Sequence, residues 1–501
     1  MQEREVKLLL DPRARLPEPA VLFDGIADWS VETVEQDAVY FDTADLALAR
    51  AGASLRFRSD DGWTVKIPRP RVGDALVRDE HSIAGVAGAP PAAATDLVLA
   101  WTRSRPVLEV ARVHTARRRF VVVDGTGHPL VEVDDDTVTT EDRDGRTTRF
   151  HEVEIEARSN ADGKQFDDLL HRLRLVGVES ADGMPKVVRA LGPRAQAPPD
   201  LVVPSAPAAD ATLARLARFA IARSVQRLVD HDPVVRVSDD PEGVHQARVA
   251  TRRLRSDLRT LAPTLDESWS EPLRAELRWM GEHLGRVRDA DVLLERLEAE
   301  VDWLSEAEHG DARQLLDRLR AQRARDRDDL LAAMRGARYA RLLDALVDAA
   351  MSPRVRDALA EEPARLHLAA LLERSCKRLR KAVRRLPDEP ADADLHEVRK
   401  RAKQARYAFE ALTPIAGRRA ARAARRLADL QEVLGDHQDT VVAEAWLHAA
   451  AADTDRPELA FAAGRLAASF ADERRARRVE WPTIWKRARR AMKKAQARAG
   501  A

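Results

Sequence analysis

Residues 152–156 read EVEIE, three carboxylates separated by Val153 and Ile155. Successive side chains of a strand point to opposite faces, so this run makes an acidic face backed by an apolar one. The same alternation recurs upstream. Glu3, Glu5 and Lys7 share a face of the first run; Arg56 and Arg58 oppose Leu55 and Phe57; Lys66 lies between Val65 and Ile67. Arg117 and Arg119 share a face, and Glu132 and Asp134 oppose Val131 and Val133. One such strand is ordinarily half-buried, with its charges in water. Six are harder to explain that way, because solvated faces mix Thr, Ser and Gln with their charges. A closed barrel with a polar interior explains the set. Its carboxylates suit hard divalent cations, which take oxygen ligands. Its arginines and lysines suit phosphate oxygens. Without ligand, such an interior is costly to desolvate, which argues against a purely structural role.

Strand patterns broken by Gly, Asp and Pro persist to about residue 190, interrupted by a helical stretch, 164-KQFDDLLHRLRLVG-177. The run 192-GPRAQAPPDLVVPSAPAAD-210 then reads as a linker. Beyond it the chain is rich in Ala, Leu, Arg and Glu with long helical periodicity. The expected organisation is a strand domain over 1–195, a linker over 196–210 and an all-helical domain over 211–495.

The helical half contains a duplication. ARSVQRL at 222–228 matches ERSCKRL at 373–379, and HQARVATRRLR at 245–255 matches HEVRKRAKQAR at 396–406. LGRVRDADV at 284–292 then matches LGDHQDTVV at 434–442. Three ordered matches at nearly one offset imply two related bundles, over about 211–350 and 360–495.

Charge divides along the same boundary. Residues 1–200 carry 27 Lys and Arg against 35 Asp and Glu; the rest carry 57 against 48, within an overall net charge of +1. An acidic half suited to cations and a basic half suited to a polyanion imply two binding tasks. No run of 18 apolar residues suggests a membrane span. The opening MQEREVKLLLD carries charge where a signal peptide needs an apolar run. Cys376 is the only cysteine, excluding an intrachain disulfide and suggesting a reducing, cytoplasmic setting. Nothing near it suggests a nucleophile.

In the basic half, His245, Arg248, Arg252 and Arg255 lie at offsets that place them on one stripe of a helix. His396, Arg399, Lys403 and Arg406 repeat the pattern. A single basic helix is commonly just a solvated face. The repetition points instead to a paired groove for polyanions. Basic neighbours at helical spacing argue against zinc on these histidines. With aromatics at only 4% of residues, a stacking platform for single-stranded nucleic acid is not expected.

The ordered series in the first 195 residues resembles the CYTH, or triphosphate tunnel, superfamily. It runs from Glu3-x-Glu5-x-Lys7 through YFDT at 40–43, LRFR at 55–58, Lys66, Arg117–Arg119, the acidic 132–136 segment and EVEIE to Lys186. The resemblance implies an eight-stranded antiparallel tunnel that binds triphosphates with Mg²⁺ or Mn²⁺. It assigns Glu3, Glu5, Glu152 and Glu154 to the metal, with Glu132 and an aspartate of 134–136 beside them. Strict alternation favours Asp134; a bulge could instead present Asp135. Lys7, Arg56, Arg58, Lys66, Arg117, Arg119 and Lys186 fall to phosphate, and Glu5, Lys7 and Glu154 to catalysis. Pro185 stands where the family has Ser.

The helical half resembles the CHAD domain, on VHQARVATRRLR at 244–255, LHEVRKRAKQAR at 395–406 and the two LGxxxD segments. CHAD domains are associated with polyphosphate, so the eight residues of the two stripes are expected to contact it. Asp289 and Asp439 are expected to cap or brace helices. The expected whole is an α+β multidomain protein: an antiparallel β tunnel with helices, then an all-α duplicated bundle. The expected function is metal-dependent hydrolysis of tripolyphosphate with polyphosphate binding by the helices. The alternatives are polyphosphate binding without turnover, or hydrolysis of an organic triphosphate such as thiamine triphosphate. No membrane partner is expected.

Overall fold

The computed structural model describes residues 4–10, 16, 28–68, 78–123, 128–157, 170–173, 179–180, 184–302 and 304–499. The chain divides into two compact units, Met1–Asp200 and Leu201–Ala501.

The first unit is built on eight antiparallel strands. They are β1 (Arg4–Leu10), β2 (Asp28–Asp42), β3 (Ser54–Arg58), β4 (Gly62–Pro68), β5 (Arg78–Ile83), β6 (Leu108–Val123), β7 (Pro129–Asp142) and β8 (Thr147–Ala157). The order is β5-β4-β3-β2-β6-β7-β8-β1, and a two-residue strand, β9 (Glu179–Ser180), adds to β1. Short helices α1 (Ala47–Ala51), α2 (Ala92–Thr102) and α3 (Lys186–Leu191) accompany them. The apolar alternates bury as their period requires. Val131, Val133, Val153 and Ile155 form a core with Leu8 and Phe120. Leu55, Trp63, Val65 and Ile67 form another against α2. The helix expected over 164–177 falls largely outside the described residues; residues 170–173 are helical. Pro185 caps the start of α3 with φ −63° and ψ 147°, so proline suits the local backbone and Lys186 opens the helix. Residues of the expected linker up to Asp200 are tied to this unit. The Pro198 carbonyl accepts hydrogen bonds from Arg50, and Asp200 forms ion pairs with Arg50, Arg103 and Arg105.

The second unit is helical: α4 (Leu213–Val237), α5 (Pro241–Leu261), α6 (Glu267–Val301), α7 (Glu306–Arg335), α8 (Ala337–Met351), α9 (Leu368–Arg384), α10 (Asp392–Ala452) and α11 (Pro457–Ala499). The sequence duplication maps onto them. α9 repeats α4, the first part of α10 repeats α5, and its second part repeats α6. The two parts of α10 meet at Gly417, whose φ of 70° and ψ of −160° break the helix. The repeats share a core: Leu293, Leu297, Leu315 and Leu319 of the first meet Leu447, Leu459, Leu466 and Phe470 of the second. Cys376 is buried in α9, and burial pushes its thiol up to about 12, as befits a packing residue. Among the described residues no helix is long and apolar enough to cross a membrane.

Candidate functional site

Strand register decides which charges meet. Across β6, β7, β8 and β1, Arg119 pairs with Asp134, Asp134 with Glu154, and Glu154 with Lys7. One row along, Arg117 pairs with Asp136 and Asp136 with Glu152. On the other side Glu132 pairs with Glu156, and Glu156 with Glu5. On the far strands the rows are Tyr40–Arg56 and Lys66–Glu80. Lys7 of β1 and Glu80 of β5 come from opposite ends of the sheet order, yet both line one cavity of about 680 Å³. The sheet therefore wraps around it. Arg56, Arg58, Lys66, Arg78, Arg117, Glu154 and Lys186 line it too.

The alternates sort cleanly at 132–136. Asp134 and Asp136 lie on the charged face with Glu132. Asp135 lies on the other, buried, where His151 bonds to it and Arg118 stands 3.7 Å away. No bulge interrupts this stretch of the β7–β8 pairing.

The charges are matched closely. Arg117 grips Asp136 with two bonds of 2.8 and 2.7 Å, reaches Glu154 at 3.0 Å and touches Asp134. Arg119 donates to Asp134 at 2.8 Å and stands 2.9 Å from Glu132. The Lys186 ammonium lies 2.6 Å from Asp136, 3.1 Å from Glu154 and 3.3 Å from Glu152; Lys7 bonds Glu154. Burial works to raise the Glu154 carboxyl, but Lys186, Lys7 and Arg117 overcome it and hold it well below its ordinary value. Burial raises Glu152, against the pull of Lys186 and Lys7. Burial works to lower Lys186, and Glu154, Asp136 and Glu152 raise it instead.

Glu152 differs from its neighbours. It is wholly buried, yet neither carboxylate oxygen accepts a hydrogen bond. It is held only at ion-pair distance, by Lys186 at 3.3 Å and Arg189 at 3.9 Å, so its lone pairs stay open to a further cation. Among the described residues no three Asp, Glu, His or Cys side chains converge as a preformed metal cage. Magnesium-like ions rarely need one, since one or two carboxylates plus substrate phosphates and water complete their shell. Glu152 with Glu154 fits that requirement.

The structure thus gathers Lys7, Arg117, Arg119, Glu132, Asp134, Glu152, Glu154 and Lys186 on one charged wall, and Arg56, Arg58 and Lys66 on another. Glu3 lies outside the described residues, and Glu5 is placed by strand register alone. Asp136, Arg78 and Glu80 are additions to the residues expected from sequence. The 132/134/136 alternation contained the signal for Asp136. The 78/80 alternation of β5 contained it for the other two, but no apolar partner run framed it.

In the second unit, α5 and α10 bring the two basic stripes together. Arg252 donates to the Tyr407 hydroxyl at 2.9 Å and lies over its ring, joining the repeats. Burial, then the neighbouring Arg252, Arg399 and Arg248, push the Lys403 ammonium down to about 6. His245 and His396 are lowered as well, first by burial, then by Arg288 and Lys400 respectively. The LGxxxD segments supply the floor. A Cβ on Gly435 would stand 3.3 Å from the Arg399 guanidinium, and one on Gly285 3.8 Å from that of Arg248. Asp289 pairs with Arg248 at 2.9 Å, and Asp439 stands 3.9 Å from Arg399. The aspartates brace arginines rather than cap helices. Arg406 lies over the same Tyr407 ring at 5.7 Å, held by Glu410 at 2.7 Å, while Arg255 stands further along, beside Arg278 and Arg274.

Two proteins from two strains of Mycobacterium tuberculosis, Rv2226 and MT2285, are each 35% identical to this chain over 448 residues, 84% of either chain. Among solved structures, PptA from Streptomyces chartreusis covers 55% of this chain and 100% of its own at 26% identity and a TM-score of 0.48. The CHAD domain of the plant Ricinus communis covers 57% and 95% at 26% identity and a TM-score of 0.47. The CYTH family model matches residues 1–188 and the CHAD model residues 219–448. CYTH domains are triphosphate tunnel enzymes dependent on divalent cations. This chain belongs to the family in which a CYTH domain is followed by a CHAD domain.

Proposed function

We propose that the first unit hydrolyses inorganic tripolyphosphate with Mg²⁺ or Mn²⁺, and that the second binds polyphosphate, in a cytoplasmic protein. The observation that carries the first part is the buried Glu152 carboxylate, without a hydrogen bond, beside an ionised Glu154 and a wall of bases. Glu152 and Glu154, with Glu5 of the first strand and Glu3, which the family resemblance assigns to the metal, would hold the cation. When bound, it withdraws charge from phosphate oxygens.

The remaining work falls to the chain. Arg56, Arg58 and Lys66 bind one end of the triphosphate. Lys7, Arg117 and Lys186 exchange their carboxylate partners for phosphate oxygens and stabilise charge on the leaving group. Arg119, held by Asp134 and Glu132, positions that wall. Glu154, its carboxyl held well below its ordinary value before substrate arrives, orients the attacking water.

Phosphate release from tripolyphosphate, with Mg²⁺, with Mn²⁺ and with chelator, tests the reading beside ATP and thiamine triphosphate. Metal-dependent release chiefly from tripolyphosphate is expected. Preferential release from thiamine triphosphate changes the substrate, and no release from any of the three leaves a binding protein.

A further inference from the structure

The basic stripe of α5, as read from sequence, ends at Arg255, but the positive surface continues. Arg259 stands one turn further along α5 and feels Arg274 of α6, Arg255, Arg378 of α9 and Arg401 of α10. Arg255 lies over Gly281 of α6, where an added Cβ would sit 3.8 Å from its Nη1, and neighbours Arg278 and Arg274. Arg378 and Arg401 line a cavity of about 530 Å³ with Lys381 and Arg385. Four helices deliver guanidinium groups to one stretch of surface.

Counter-charge there is thin. Among the described residues, Arg255, Arg259, Arg278 and Arg378 form no ion pair. Arg274 has Glu271, and Arg401 shares Glu397 with Lys400. Glu282 acts on Arg255, and Asp394 is engaged at the start of α10 by the Ala391 amide. Burial and four like-charged neighbours push Arg259 down to about 10. Free surface arginines relieve such repulsion by swinging into water; this one is half-buried among packed helices. A ligand with many closely spaced negative charges removes the repulsion at once.

We infer that Arg255, Arg259, Arg274, Arg278, Arg378 and Arg401 form a second polyanion site, continuous along α5 with the α5–α10 groove, so that one long polyphosphate chain occupies both. This rests on the reading of the second unit as a polyphosphate binder. From His245 to Arg259 the helix runs about 21 Å, so the second site rewards long chains.

The test uses the full chain in chelator, so that nothing is hydrolysed. Binding of polyphosphates of graded length is measured for wild type, Arg259→Gln/Arg378→Gln and Arg278→Gln/Arg378→Gln. The last pair removes only exposed groups. Wild-type affinity is expected to climb with chain length. In both variants the climb stops at shorter chains, and the slope of log affinity against log salt falls by about 1.4 for two lost contacts. Thermal stability holds or rises as repulsion is relieved. An unchanged length dependence and slope overturns the inference, as does an equal loss at every length including tripolyphosphate. Preferential loss of duplex DNA over polyphosphate overturns the ligand class. A wild type that binds no chain of any length overturns the underlying reading, and this one with it.

Discussion

The two units handle charge in opposite ways. In the tunnel every described base of the β6–β8 wall meets a carboxylate: Arg117 with Asp136, Arg119 with Asp134, Lys186 with Asp136 and Glu154. In the helical groove Asp289 and Asp439 answer only Arg248 and Arg399, and burial with the neighbouring arginines depresses Lys403 to about 6. A self-neutralised wall has little net pull on a bare anion. It gains when cation and phosphate arrive together and both halves of each ion pair are repartnered. A groove with more bases than carboxylates attracts polyanions without any metal. The first arrangement suits chemistry on a metal complex; the second suits capture.

Five experiments break or sharpen this contrast, from the largest expected effect to the smallest. Chelation should abolish phosphate release while leaving polyphosphate binding by the full chain intact, measured on the same preparation; metal-dependent binding would erase the distinction. Lys186→Met removes the ammonium shared by Asp136, Glu152 and Glu154. It should slow hydrolysis by about 10²–10³-fold and leave long-chain binding within error. Arg252→Gln with Lys403→Met should do the reverse. The salt slope of polyphosphate binding should fall by about 1.4, with tripolyphosphate turnover unchanged.

The smallest effects concern protons. Lys403 is lowered from 10.5 to about 6, so a bound polyanion should restore its proton. At pH 8, calorimetry in buffers of different ionisation enthalpy should register uptake of up to about one proton, absent in Lys403→Met and at pH 5. Between pH 6 and 10.5 the native chain binds fewer protons here than the unfolded one, so this residue's contribution to stability rises with pH and is lost below 6. Asp257 works the other way. Buried, with one oxygen unpartnered, it is raised from 3.8 to about 7. The native state then binds more protons, and stability falls as pH rises through that window. Asp257→Asn should raise the melting temperature at pH 8 and change little at pH 4.

The strand unit was legible because its code is local. Alternation at 56/58, 117/119 and 152/154 states which side chains share a face before any partner is known. The choice between Asp134 and Asp135 needed cross-strand register, which turned on the unbroken pairing of Asp135 with Val153. Asp136 shares the face of Asp134, in the row of Arg117 and Glu152. In the helical unit the stripes were readable from helical periodicity, and the duplication from one repeated offset. The Arg259 cluster was not, because its members come from α5, α6, α9 and α10 and no helix contains the pattern. The glycines of LGxxxD were visible as repeated letters, but their reason, a flat seat for Arg248 and Arg399, exists only once α5 packs on α6 and the two parts of α10 pack on each other.

The bridge from Arg252 to Tyr407 has one more consequence. Shifted by the repeat offset, Arg252 corresponds to Lys403 and Tyr407 to Ser256. One repeat's cation is pinned to an aromatic ring; its twin, Lys403, is an ammonium pushed down to about 6 that gains or loses a proton with its surroundings. The two positions equivalent by sequence are thus unlike in chemistry: an arginine fixed by a hydroxyl on one side, an adjustable ammonium on the other.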